Sequence, residues 1–168
     1  MKITMLFETL YAKYYEPVFW FCFRFSNQRE SALDITQETF VRLYERMNGT
    51  PEAIENPQAW LYKVAGNLSL NHLKNSSRHR EIENTLDHSK VETATPENIF
   101  IHSEKVSRVK RCIEKLKPKE KMLILLYQQD LSYRELSVAA GIPEKSVGKT
   151  LWRIIHKLSK QLDDENGK

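Results

Sequence analysis

The chain has 168 residues, 29% charged and 40% hydrophobic, with 26 Lys and Arg against 22 Asp and Glu and a net charge of +4. This balance excludes a disordered tail, and the lack of any apolar run of about 18 residues excludes a bilayer-spanning helix. The mild basic excess suits an anionic partner wherever the positive side chains cluster. With only 5 Gly and 6 Pro, little β-branched alternation, and apolar residues recurring at spacings of three and four, the fold class is all-α. Cys22 and Cys112 lie far apart in helical patterns and are expected to be reduced. No CxxC is present and the histidines lack zinc-site spacing, so no metal or other cofactor is expected. Glu8 and Lys13 interrupt any apolar signal segment, so the chain is expected in the cytoplasm.

The first helix spans roughly residues 4–25 and is dense in aromatics. Phe7, Leu10, Tyr11, Tyr14, Val18 and Phe21 form one stripe, and Pro17 is expected to bend or break the helix because it removes a backbone donor. Ser26-Asn27 supplies turn chemistry. A second helix follows over about 29–47. Leu33, Phe40, Leu43, Tyr44 and Met47 are assigned to its buried stripe, while Asp34, Gln37, Glu38, Arg42 and Glu45 share the other side. That polar face begins acidic and amide-rich, as suits a positively charged partner. Asn48-Gly49-Thr50-Pro51 stops the helix, with Asn-Gly supplying a left-handed residue.

Asn56 as N-cap and Pro57 at the first helical position start a third helix that runs to about residue 77 or 80. Trp60, Leu61, Val64, Ala65, Leu68 and Leu73 are its apolar residues, with Trp60 placed in the core. Lys63, Asn67, Asn71, Lys74 and Arg78 fall at spacings of four, four, three and four. This single basic and amide-bearing stripe, with Arg80 beyond it, suits a nucleic acid: amides bond base edges and cations track the backbone. Residues 81–97 turn polar, with Pro96 and few large apolar side chains, and read as a flexible linker between two small helical domains.

Helical period resumes near residue 99. Val106, Val109, Ile113 and Leu116 make one stripe. Pro118 opens the next helix, whose run from Met122 to Tyr127 reads as buried. Ser132 with Glu135 forms a capping box, Gly141-Ile142-Pro143 turns the chain, and a last helix over 143–162 turns Val147, Leu151, Ile154, Ile155 and Leu158 inward. Two helices joined by a Gly-containing turn read as a helix-turn-helix. Its second helix offers Glu144, Lys145, Ser146, Lys149 and Thr150 to bases, and Arg153, His156 and Lys157 to phosphates or solvent. The bland alternative is a helical hairpin in an ordinary bundle. No Gly-rich phosphate loop, HExxH or GxSxG is present, so no catalytic function is expected.

Three motifs in order resemble one family: Asp34-Ile35-Thr36-Gln37-Glu38-Thr39-Phe40, then Pro57-Gln58-Ala59-Trp60-Leu61-Tyr62-Lys63-Val64-Ala65-Gly66-Asn67, then Leu131-Ser132-Tyr133-Arg134-Glu135-Leu136. They resemble the extracytoplasmic-function (ECF) sigma factors of the sigma-70 family over about residues 7–158, the linker excepted. The resemblance implies a sigma-2 domain over 1–80, a linker over 81–100 and a sigma-4 domain over 101–168. It implies that Asp34, Gln37 and Glu38 meet the clamp coiled coil of the largest subunit of core RNA polymerase. It further implies that residues 48–56 and the third helix, through Lys63, Asn67, Asn71, Lys74, Arg78 and Arg80, melt and read the promoter −10 element. It implies too that the helix-turn-helix, through Lys145, Ser146, Lys149, Thr150 and Arg153, reads the −35 element, and that the polymerase flap is a further partner. The resemblance also implies an anti-sigma factor, commonly membrane-anchored, since members of the family are often held inactive by one. Gly66, Asn71, Lys74 and Gly148 depart from the usual pattern. A stand-alone helix-turn-helix regulator, or a helical adaptor with no DNA function, is the competing reading.

Overall fold

The computed structural model describes residues 2–49, 54–83 and 104–166, and among these it contains seven helices and no strand. They are α1 (Lys2–Ser26), α2 (Arg29–Gly49), α3 (Pro57–Glu83), α4 (Glu104–Glu114), α5 (Pro118–Tyr127), α6 (Tyr133–Ala140) and α7 (Glu144–Asn166). The all-α class follows the residue periodicity. Most of the stretch from 81 to 97, read as linker, lies outside the described residues, and α3 itself continues to Glu83.

α1, α2 and α3 form one bundle. Val18, Phe21 and Cys22 of α1 pack with Ala32, Ile35, Phe40 and Leu43 of α2 and Leu61, Tyr62 and Ala65 of α3. Of the two outcomes expected at Pro17, a break does not occur: α1 runs through it, with Pro17 on the exposed side. Asn27 takes the left-handed conformation after α1 (φ 55°), and its N–H donates to the Phe23 carbonyl. The same role assigned to Gly49 is not filled, since Gly49, the last residue of α2, lacks positive φ. Asn56 does cap α3: its Oδ1 accepts from the Ala59 N–H at 2.9 Å.

The buried face of α2 is rotated from the expected one. Ile35, Thr36 and Thr39 are buried, and both threonine hydroxyls donate to carbonyls one turn back, so the polar groups enter the core satisfied. Tyr44 is instead 49% exposed and touches the Phe7 ring edge-on. Similar corrections apply in the C-terminal half. Val106, Val109, Tyr127 and Ile155, expected inward, are all exposed, while Cys112, Leu116, Val147, Leu151 and Ile154 fill the interior. Each misplaced residue sits on the flank of an apolar stripe, where a neighbouring helix decides burial.

α5 is buried nearly all round, from Lys121 to Leu126. Its start is set by Pro118 and by Glu120, whose Oε2 accepts the Lys117 N–H. α6 begins at the Ser132–Glu135 capping box and ends at Gly141, with φ 65° and ψ 37°, a conformation that glycine reaches without a Cβ clash. Rather than forming two separate cores, the interior is a single apolar cluster that runs from Leu10 through α3 and α5 to Ile154.

Candidate nucleic-acid interface

The acidic face of α2 is formed as the sequence reading placed it. Asp34, Gln37 and Glu38 are all exposed, while Ile35, Thr36, Thr39 and Phe40 anchor the opposite side. Glu38 Oε1 accepts from Arg42 Nε at 2.7 Å, an exposed i,i+4 pair that aligns the carboxylate and adds little stability. Val41, exposed one turn beyond Gln37 and Glu38, adds an apolar spot to the same face.

On α3, Lys63, Asn67, Asn71 and Lys74 are exposed along one stripe, opposite buried Leu61, Tyr62, Ala65 and Ser69. The helix backbone continues through Arg78 and Arg80, whose side chains lie outside the described residues. Trp60 is only partly buried. It lines a cleft of about 610 Å³ with Arg46, Ile54, Asn56, Ser132 and Glu135. His72, read as a surface histidine, is half-buried, with Nε2 3.0 Å from Ser31 Oγ.

The helix-turn-helix is formed by α6 and α7. Lys145, Lys149 and Arg153 are exposed, and Ser146 and Thr150 are partly so. Ser146 N–H donates to the Pro143 carbonyl, tightening the first turn, and Arg153 Nη2 lies 3.5 Å from Thr150 Oγ1. Trp152 is 65% exposed and stacks on the His156 ring at 5.2 Å. Lys157, offered to phosphates or solvent, is instead tied to Glu120 Oε2 at 2.9 Å. That bond holds the Glu120 carboxyl below its ordinary value. Gly148 costs about 1 kcal/mol relative to Ala in a helix interior, and the space beside it is taken by Tyr133: a Cβ there would stand 3.2 Å from the ring.

The sequence reading missed the groups that join the two halves. Asn56 Nδ2 donates to Glu135 Oε1 at 2.6 Å, and the Tyr62 hydroxyl donates to Gln129 Oε1 at 2.8 Å. Lys121, the cation just before the apolar run of α5, is 7% exposed and donates to the Phe25 carbonyl at 2.7 Å and to Glu114 at 2.8 Å. It thereby places a positive charge at the C-terminal end of α1, where the helix dipole favours it. Lys121 on the apolar face was the one available signal, since a charge there requires a partner.

The three-helix bundle, with its acidic outer face and basic stripe, and the helix-turn-helix packed beside it make an all-helical protein in two parts. Residues 10–79 match Sigma-70 region 2 and residues 107–158 match Sigma-70 region 4. The chain belongs to the sigma-70 family of RNA polymerase sigma factors, in its extracytoplasmic-function group. It is 26% identical over 167 residues to RNA polymerase sigma factor YlaC of Bacillus subtilis (strain 168), covering 96% of this chain and 95% of that protein. It is 26% identical over 162 residues to ECF RNA polymerase sigma factor BldN of Streptomyces coelicolor, covering 95% of this chain and 61% of that one. Its fold is similar to that of the sigma factor RpoE solved in complex with the anti-sigma factor NepR from Bartonella quintana, with a TM-score of 0.73, 16% identity, and coverage of 94% and 96%. Among the described residues no helix is long and apolar enough to cross a membrane.

Proposed function

We propose that this sigma factor acts in the cytoplasm by bringing two weak DNA readers to core RNA polymerase. Asp34, Gln37 and Glu38 dock on the clamp coiled coil of the largest subunit. The stripe of Lys63, Asn67, Asn71 and Lys74, extended by Arg78 and Arg80, holds the strand that opens at the −10 element. Lys145, Ser146, Lys149, Thr150 and Arg153 engage the −35 element, and the same C-terminal part meets the polymerase flap. Functionally the chain divides into a sigma-2 part over 1–80, a connector over 81–100 and a sigma-4 part over 101–168. An anti-sigma factor, membrane-anchored or not, covers these surfaces when the protein is held inactive; the RpoE–NepR complex is the precedent in a protein of this fold.

The observation that carries the reading is the exposure of Asp34, Gln37 and Glu38 on one face of a helix whose other face is locked into the core. Asp34 and Gln37 stand exposed, and Glu38 pairs at the surface with exposed Arg42. The deciding experiment is reconstituted transcription. Core polymerase with this chain is expected to start a transcript from a defined promoter, and Asp34→Ala or Gln37→Ala to reduce it at limiting sigma. Absence of any promoter-specific start with the unaltered chain overturns the reading.

A further inference from the structure

The second helix of the helix-turn-helix carries a gap at the margin of its outer face, and a side chain from the first helix fills it. Lys145, Gly148, Lys149 and Trp152 stand at spacings of three, four and seven along α7, so they share one side. Lys145, Lys149 and Trp152 are exposed there, while Val147, Leu151 and Ile154 hold the other side in the core. Gly148, partly exposed, has no side chain to offer. The Tyr133 ring takes that space: its Cε2 atom stands 3.2 Å, and its hydroxyl oxygen 3.9 Å, from where a Cβ at Gly148 would be. Tyr133 is the first residue of α6, and the Ser132–Glu135 capping box fixes its backbone. Its side chain leans on α7 and is still 48% exposed.

We infer that Tyr133, seated at Gly148, is a specificity-determining residue of the −35 contact: its ring reads the C5-methyl group of one thymine in the major groove. The inference rests on the functional reading above. A recognition helix reaches base edges with residues near its start, and Gly148 is one turn into α7. Lys145, Ser146 and Lys149 bring charge and hydrogen-bond donors to this turn, and the Tyr133 ring is the apolar surface among them. Apolar contact with the methyl group is how a side chain in the groove recognises thymine. Trp152, 65% exposed, stands one turn further from the helix start and is engaged in its stack with His156. A side chain at position 148 would displace the ring and enter the groove in its place, so the glycine decides which group reads.

The test begins with core polymerase carrying the unaltered chain, which selects from promoter duplexes randomised over the −35 element. Affinity is then measured on the selected duplex with single thymines replaced by uracil, a change that removes only the methyl group. The unaltered holoenzyme is expected to lose about fourfold at one −35 position, the loss for one methyl-sized apolar contact. Tyr133→Ala is expected to abolish that discrimination and Tyr133→Phe to keep it, because the ring and not the hydroxyl reads. Gly148→Lys is expected to exchange the thymine preference at that position for guanine, whose O6 and N7 accept from lysine. If Tyr133→Ala loses helical signal in circular dichroism, Gly148→Lys carries the comparison, since a ring half open to solvent can move aside. The inference is overturned if uracil costs the unaltered holoenzyme nothing, or if the discrimination survives in a folded Tyr133→Ala. It is overturned as well if Tyr133→Ala weakens every selected sequence alike, which marks a phosphate contact or a structural role. An unaltered holoenzyme that selects no sequence at all overturns the functional reading and this inference with it; selection of a −35 sequence indifferent to Tyr133 overturns this inference alone.

Discussion

Lys121 carries a charge into the packed interior, and its surroundings say what removing it costs. Its ammonium group satisfies the last-turn carbonyl of Phe25 and a carboxylate oxygen of Glu114, and lies 5.4 Å from the Phe25 ring centroid. Lys121→Ala strands both acceptors and is expected to destabilise the protein by about 1.5–3 kcal/mol, the range for hydrogen bonds to charged groups. Because Glu114 is partly solvated, the lower part of that range applies; urea denaturation measures it. Cys22 makes a second residue-scale prediction. Burial pushes its thiol up to about 11, and Cys112 is buried as well. A thiol reagent at pH 8 should find neither group in the native protein and both after unfolding, because the thiolate is the reactive form and access is closed. Rapid labelling of the folded chain would contradict the packing of α1 against α2 and α3.

Among the elements, α6 has the best-defined ends and the clearest pH dependence. The Glu135 carboxyl is held below its ordinary value by the Ser132 side chain, then by the Ser132 N–H, then by Asn56. A depressed carboxylate contributes stability that is present above its unfolded value, here 4.5, and is lost as pH falls through the folded one. Hydrogen-exchange protection of α6, corrected for intrinsic rate, should therefore be level above about pH 5 and decline below about pH 4. Ser132→Ala should cost about 1 kcal/mol and flatten that decline. For α3 the measurable quantity is salt dependence. Lys63→Ala and Lys74→Ala should each reduce the slope of log K against log salt by about 0.7–0.9 in holoenzyme–promoter binding. They should weaken all promoter sequences alike, while Asn67→Ala alters preference at one position, since amides bond base edges and cations do not.

At the scale of the whole molecule, one apolar cluster unites the helices of both matched regions. The chain should then unfold in a single thermal transition. Leu126, with no exposed surface, sits near the middle of that cluster. Leu126→Ala should cost about 2–5 kcal/mol and lower the single transition as a whole, which calorimetry would show; two resolved transitions would mean that the halves unfold separately. The sequence by itself determined the helices and most of their ends. Asn56, Pro118, the Ser132–Glu135 box and Gly141 each act on backbone groups within four residues, so local chemistry suffices. It also determined which polar side chains share a face, because helical period places Asp34 with Gln37 and Glu38, and Lys63 with Asn67, Asn71 and Lys74. It did not determine what covers a face. Tyr44, Val106, Val109 and Ile155 sit at the flanks of their stripes, where burial depends on a neighbouring helix that period alone does not place. Nor did it fix how the two halves join. Gly66 was only a departure from the usual motif until Met122, 56 residues away, was found in the space it leaves. Asn56 and Glu135 each looked like a complete local cap until the tertiary fold set them 2.6 Å apart. Contacts of that range depend on how rigid helices dock, and the docking of α5 and α6 on α3 is what the tertiary structure alone decided.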